Sequence, residues 1–461
     1  MTPSQIQQIE GLSSRLTGEV LLPGSEAYES ARKIWNATID KHPAVIVRCS
    51  TTADVVHALG FARDSRYLVA VRGGGHNIAG SALVDDGVVI DLSRMKAASV
   101  DPDARRATIE AGATLADFDA ATQEYGLATP TGINSTTGLA GLTLGGGFGW
   151  LSRKYGMTID NLESAEVVTA NGEVLRASAT EHPDLFWAIR GGGGNFGVVT
   201  RFEFRLHPVG PNLLSGLIVY PLSDAKSVLR QYREFATNAP DELSVWAVTR
   251  LAPPLPFLPP EVHGKGIVAI AFLHAGDAKQ GERLIAPLRK LGTPLGEHVG
   301  VQPYTAWQQT FDPLLTAGAR NYWKSHNFST LADGLFDAIL EYIGSAPSPL
   351  CEIFIGALGG ATMRPRPESA AYPHRDVQFV MNVHGRWENQ ADDARCIRWA
   401  RDFFSASAPF ANGGVYVNFL TADESNRVRA AYGSNFERLA HVKRKYDPGN
   451  LFRINQNIEP A

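Results

Sequence analysis

Cysteine is scarce in this chain: Cys49, Cys351 and Cys396 are the only 3 among 461 residues, odd in number and far apart. That argues against a disulfide framework, and no C-x-x-C pair or histidine at ligand spacing points to a metal. An excess of one charge is also missing, since 43 Lys and Arg face 47 Asp and Glu for a formal net charge of −4. Such a balance gives no reason to invoke nucleic acid or an anionic membrane as a partner. No apolar run reaches the length of a membrane span. The opening residues Met1-Thr2-Pro3-Ser4-Gln5-Ile6 lack the basic and apolar regions of a secretory leader, so the expected location is cytoplasmic. No G-x-x-x-x-G-K-[ST] occurs, which removes a P-loop.

Glycine, by contrast, is abundant: 45 residues, clustered at 73–75, 145–149 and 191–197. In Arg72-Gly73-Gly74-Gly75-His76-Asn77 three glycines remove every Cβ from a turn that leaves the strand-like run Tyr67-Leu68-Val69-Ala70-Val71. Backbone there can approach a ligand closely, and successive N–H groups can converge on an anion such as a diphosphate. His76 brings a nucleophilic ring to the edge of that cradle. Gly192-x-Gly194-x-x-Gly197 matches a dinucleotide fingerprint by letter only. The fingerprint needs a strand before it and a helix after it, and here the order is reversed. A helical segment over 183–190 precedes it, and a strand over 198–204 follows.

The element pattern is α+β. Residues 44–71 read as strand, helix, strand, with Thr51-x-x-Asp54 as a capping box. A second capped helix follows Thr114-x-x-Asp117, and residues 165–175 read as a hairpin turning at Asn171-Gly172 in a type I′ turn. The glycine-rich texture ends near 210. This predicts a first domain over 1–210, a second over 211–411 and a C-terminal segment over 412–461 that completes the first. The basic cluster Lys443-Arg444-Lys445 reads as a solvated helix end.

Several motifs in order along the chain resemble the berberine bridge enzyme-like oxidoreductases, within the vanillyl-alcohol oxidase group of FAD enzymes. They are Arg72-Gly73-Gly74-Gly75-His76, Gly145-Gly146-Gly147-Phe148-Gly149, Leu185-Phe186-Trp187-Ala188-Ile189-Arg190-Gly191-Gly192-Gly193, Tyr416-Val417-Asn418, and Tyr446-Asp447-Pro448-Gly449-Asn450. The resemblance implies a PCMH-type FAD-binding domain of two α+β subdomains. It also implies a substrate domain with an antiparallel sheet backed by helices. The implied cofactor contacts are Arg72, Gly73, Gly74, Gly75, His76, Asn77, Thr137, Gly138, Gly141, Gly145, Gly146, Gly147, Gly149, Val199 and Asn455. His76 occupies the position that bonds covalently to the flavin 8α-methyl group. Bicovalent members add a cysteine where this chain has Asn134, which implies one covalent link.

The implied chemistry is hydride transfer from a small alcohol, sugar or amine-bearing ring to FAD, with reoxidation by dioxygen to hydrogen peroxide. Thr137 falls near the position that governs oxygen access in the family. Two readings stand beside the oxidase: a dehydrogenase that passes electrons to a quinone or carrier protein, and a flavin-binding protein with impaired catalysis. Tyr416 and Asn418, expected to point the same way on one strand, are the implied catalytic pair, with Tyr416 as base. Several members place a carboxylate on the strand after Pro373-His374-Arg375. Here alternation puts Gln378, Val380, Asn382 and His384 on one face, with no carboxylate among them. Tyr322 and Lys324 are weaker candidates for the substrate side.

Overall fold

Two capping boxes form as the sequence predicts, and each starts a helix that packs under a sheet. The Thr51 hydroxyl accepts from the Asp54 N–H and the Asp54 carboxylate returns the bond, opening the helix Thr52–Asp64. Thr114 and Asp117 do the same for Leu115–Gln123. The structure is a computed structural model that describes residues 3–461; Met1 and Thr2 of the lead-in lie outside the described residues.

The first sheet holds β1 (Glu19–Leu21), β2 (Val45–Arg48), β3 (Val69–Arg72) and β4 (Val88–Asp91) in the order β1-β2-β4-β3. Strands β2, β4 and β3 run parallel, with the Thr52–Asp64 helix as a crossover. The second sheet is antiparallel and combines β5 (Ala98–Asp101), β6 (Arg106–Glu110), β8 (Leu162–Val168), β9 (Val174–Ser178) and β10 (Val198–Arg205). The short strands β7 (Leu127–Ala128) and β11 (His207–Pro208) pair beside it. One apolar core joins these sheets to Val415, Val417 and Leu420 and to the helix Phe436–Tyr446. The hairpin of β8 and β9 is present. Its turn, however, spans residues 169–173 with only Gly172 at positive φ, so it is longer than a two-residue type I′ turn.

The third sheet is antiparallel and seven-stranded: β12 (Asn212–Pro221), β13 (Leu243–Leu251), β14 (Gly266–His274), β15 (Gly296–Pro303), β16 (Arg320–Phe328), β17 (Glu352–Ala357) and β18 (Phe379–Trp387). Its order is β15-β12-β14-β13-β17-β18-β16. The helices Ala225–Asn238, Asp333–Gly344 and Asp393–Ser407 back this sheet, as their apolar stripes predict. The opposite face turns toward the first lobe and lines the cleft between them. Phe148, Trp150, Met157 and Tyr416, distant in sequence, join the core of this second lobe.

Arg444 and Lys445 are exposed in the last turn of the helix Phe436–Tyr446, as a solvated helix end requires, but Lys443 is a correction to that reading. Lys443 is fully buried, and its ammonium donates to Asp447 (2.6 Å) and to the carbonyls of Asn195 (2.8 Å) and Phe452 (2.9 Å). All three donors are used, which a solvated helix end would not do. Asp447 in turn accepts from the N–H groups of Leu451 and Phe452, so one ion pair ties the C-terminal segment to the 191–197 loop. Lys443→Met should therefore cost about 3–5 kcal/mol, because Asp447 would be left as an unpaired buried charge. A thermal or urea unfolding curve indistinguishable from wild type would refute this.

Candidate active site

The glycine turn at 73–75 owes its shape to backbone packing. Gly75 takes φ of +70°, and a Cβ on Gly74 would land on the backbone of Gly138, inside any tolerable contact. Two loops thus meet main chain to main chain, and together they frame one end of a cavity of about 420 Å³. Gly73, Gly74, Gly75, His76, Asn77, Thr137, Gly138, Gly141, Val199 and Asn455 all line it. Gly193, Gly194 and Asn195 from the third glycine cluster line it too.

His76 stands on the cavity wall between both lobes. Its ring stacks on Trp35, with centroids 5.2 Å apart, and its Nε2 lies 3.0 Å from Thr136 Oγ1. Burial lowers its pKa to about 4, because the charged imidazolium would lose its hydration. Asn134, also on the wall, turns its Oδ1 toward the Thr136 N–H and hydroxyl. Trp35 belongs to the stitch between lobes: its indole donates to the Leu315 carbonyl, while Asn36 bonds the backbone of Ile78 and Asn321.

A profile of the FAD binding domain family matches residues 43–178, and one of the berberine and berberine-like family matches residues 415–459. The FAD-linked oxidoreductase YgaK of Bacillus subtilis (strain 168) is 32% identical over 454 residues, covering 97% of this chain and 98% of that protein. The (R)-6-hydroxynicotine oxidase of Paenarthrobacter nicotinovorans is 30% identical, with 96% and 97% covered. The chain belongs to the berberine-like FAD-linked oxidoreductases. The crystal structure of 6-hydroxy-D-nicotine oxidase from Arthrobacter nicotinovorans shares the fold, with a TM-score of 0.88 at 29% identity and 97% and 98% covered. It is thus an FAD-dependent enzyme, and its cavity fits the cofactor. A long wall of glycine backbone offers close approach, and the buried Asn455 Oδ1, at the cavity wall, has no partner among the described residues.

Not every residue assigned to this FAD-linked oxidoreductase from sequence reaches the cavity. Arg72 braces the turn from behind, donating to the Ala31 carbonyl. The glycines at 145, 146, 147 and 149 make room for protein groups instead. A Cβ on Gly145 would collide with Asn418, one on Gly146 would press on Met157 and Tyr416, one on Gly147 would meet Thr158, and one on Gly149 would meet the Thr131 carbonyl. Only Phe148 of that run lines the wall. Tyr322 and Lys324 also face away, toward Asp423 and Arg401, while the intervening Trp323 lines the cavity.

Tyr416 and Asn418 come together, though not on a strand. Tyr416 is an extended residue that enters the short turn Val417–Phe419. The phenol oxygen accepts from the Gly147 N–H (3.0 Å) and from Asn418 Nδ2 (3.0 Å), and Asn418 also bonds the carbonyls of Gly141 and Leu142. Burial pushes the Tyr416 pKa up to about 12, although both donors act to lower it. At neutral pH it is therefore an uncharged phenol, which works against the role of base. Sequence reasoning missed Trp35, Trp150, Trp246, Arg250 and Glu352 on the same wall. Glu352 opens an alternating strand, and that alternation was the one signal available for it.

Tyr416→Phe should leave the Gly147 N–H without its acceptor, at a cost of about 1–3 kcal/mol. Unfolding of the variant at unchanged denaturant concentration would show that water or another group takes the bond.

Proposed function

We infer that the protein is a flavin-dependent oxidase holding FAD through a single covalent bond from His76. It takes hydride from a small alcohol, sugar or amine-bearing ring and passes electrons to dioxygen, releasing hydrogen peroxide. The observation that carries this is His76 itself: uncharged at neutral pH, with its lone pair available, at the wall of a cavity rimmed by glycine backbone. Asn134 beside it has no thiol for a second link. The N–H groups of the 73–75 turn suit a diphosphate, and Asn77, Thr137, Gly138, Gly141, Val199 and Asn455 complete the contact set. When bound, FAD supplies the two-electron acceptor for the hydride. The protein's share is to hold the substrate, exclude water and accept the proton released with the hydride.

Residues 1–210 and 412–461 form the cofactor domain in this reading, and residues 211–411 form the substrate domain. A cytoplasmic setting belongs to this reading and is supported by the scarcity of cysteine, 3 in 461 residues.

Intact mass under denaturing conditions tests the reading. Wild-type protein should carry the added mass of one FAD, and His76→Ala should lack it while remaining folded. Attachment to apoprotein should be flat between pH 6 and 8 and fail only toward pH 4, where the imidazole takes up its proton and loses its lone pair. Substrate turnover should consume oxygen and yield peroxide in equal amounts. Turnover with quinone alone would replace the oxidase by a dehydrogenase, and an unmodified wild-type mass would remove the covalent link.

A further inference from the structure

On the cavity face of the large sheet, five directly opposed residues make one straight row. Ile267 pairs with Arg250, Arg250 with Glu352, Glu352 with His384, and His384 with Trp323, crossing β14, β13, β17, β18 and β16. All five line the cavity. The next row, Ala269, Val248, Phe354 and Asn382, also lines it, as do Ala271 and Trp246 in the row beyond.

The polar part of this row is one proton short. Arg250 donates to Glu352 at 2.6 Å. Burial alone would raise the Glu352 carboxyl, but the Arg250 guanidinium beside it outweighs that and holds it below its usual range, so it is ionised. His384 Nε2 lies 2.9 Å from Asn321 Oδ1. That oxygen is identified by two further bonds: it accepts from Arg386, and the Asn321 amide nitrogen donates to the Ala319 carbonyl. Nε2 must therefore carry the hydrogen, which leaves Nδ1 bare in the neutral ring. Nδ1 faces Glu352 Oε1 at 3.5 Å, so two lone pairs look at each other across a gap with no proton between them. Burial depresses the His384 pKa below its usual value while Glu352 raises it, so the gap stands empty at neutral pH.

We propose that the Glu352–His384 pair is the proton acceptor of the cavity, and that it serves an uncharged substrate with a flat ring and an O–H or N–H group. The substrate class rests on the oxidase reading above. As the substrate C–H bond breaks and its electron pair leaves as hydride to the flavin, the O–H or N–H bond also breaks. A C=O or C=N bond forms, and the proton goes to His384 Nδ1, where it bridges to Glu352. Arg250 and Asn321 are positioning residues: one keeps Glu352 ionised, the other fixes the histidine tautomer. Apart from Asn382, the sheet's share of the wall beyond this row is aromatic and apolar. Trp150 stacks on Trp246 with centroids 4.4 Å apart, and Phe354 and Trp323 continue the surface. The indole N–H groups of Trp150, Trp246 and Trp323 have no partner among the described residues, so a ring bearing acceptor atoms would satisfy them. Arg250 and Glu352 cancel each other, which leaves no free charge to hold a charged ligand.

The groups facing His384 are Glu352 from β17, Arg386 from its own strand, Arg250 from β13, Asn321 and Trp323 from β16, and Trp35 from the first lobe. Histidine-labelled ¹⁵N NMR on the holoprotein follows the imidazole directly, with His384→Gln identifying the signal. Glu352→Gln keeps the shape of the side chain and removes the charge that raises the histidine, so its titration should move at least tenfold in proton concentration toward acid. An unmoved titration would overturn the pairing. Anaerobic flavin reduction by 4-methoxybenzyl alcohol, 1,2,3,4-tetrahydroquinoline and xylobiose supplies the second readout. The wild-type rate should fall as pH drops through the same titration, since a filled gap accepts nothing. Loss of His384 should slow the faster ring substrate by about 10²–10⁴-fold. Reduction by xylobiose alone, or by none of the three in protein that carries FAD, would overturn the substrate class. Absence of FAD from the intact mass would instead sink the oxidase reading and leave the titration to decide the pair.

Discussion

The register of the seven-stranded sheet is the constraint on which the substrate side depends. Side chains alternate with period two, so a slip of one residue in β13, β17 or β18 would carry Arg250, Glu352 or His384 to the helix-covered face. There the row would be buried against the apolar sides of Ala225–Asn238 and Asp393–Ser407, where an ionised carboxylate has no partner. Register is held by the same alternation. Ile353 and Ile355, between and beyond the cavity residues of β17, pack into the core behind the sheet.

The cofactor side obeys a different constraint, the distance between main chains. The 73–75 turn meets Gly138 with no space for side chains, and this contact brings the histidine at the turn's end against the Thr136 and Thr137 hydroxyls. The second glycine run acts in the same way on a different partner: by lacking Cβ atoms at 145 and 146 it lets Asn418 and Tyr416 enter from the C-terminal segment. Clustered glycine here means that something else must come close. In one case that something is the Gly138 backbone at the rim of a cavity, and in the other it is the protein's own side chains.

Much of the fold was legible because its signals are local. The capping boxes at Thr51 and Thr114, the strands β2 and β3 on either side of the first capped helix and the helix-then-strand order around the third glycine cluster depend on residues a few positions apart. His76 and the 73–75 turn were legible for the same reason. Lys443 was misread because its partners, Asn195 and Phe452, approach only after the C-terminal helix docks, and a run of three basic residues looks solvated in isolation. Glu352 escaped notice because the strand examined for a carboxylate was β18, while the carboxylate came from its neighbour.

The sequence by itself determined the cofactor class, the glycine-histidine turn and the α+β element pattern, since each is written in short stretches whose backbone needs are met locally. Tertiary structure decided which glycines border a cavity and which admit a side chain, because that depends on what arrives from the other lobe. It also decided the state of each titratable group. Tyr416 is an uncharged phenol because it is buried between aromatic rings, and Glu352 is ionised because strand pairing sets Arg250 directly opposite it. Solvation and charge act through space: the Gly147 N–H that meets Tyr416 is 269 positions away along the chain, and Arg250 is 102 from Glu352.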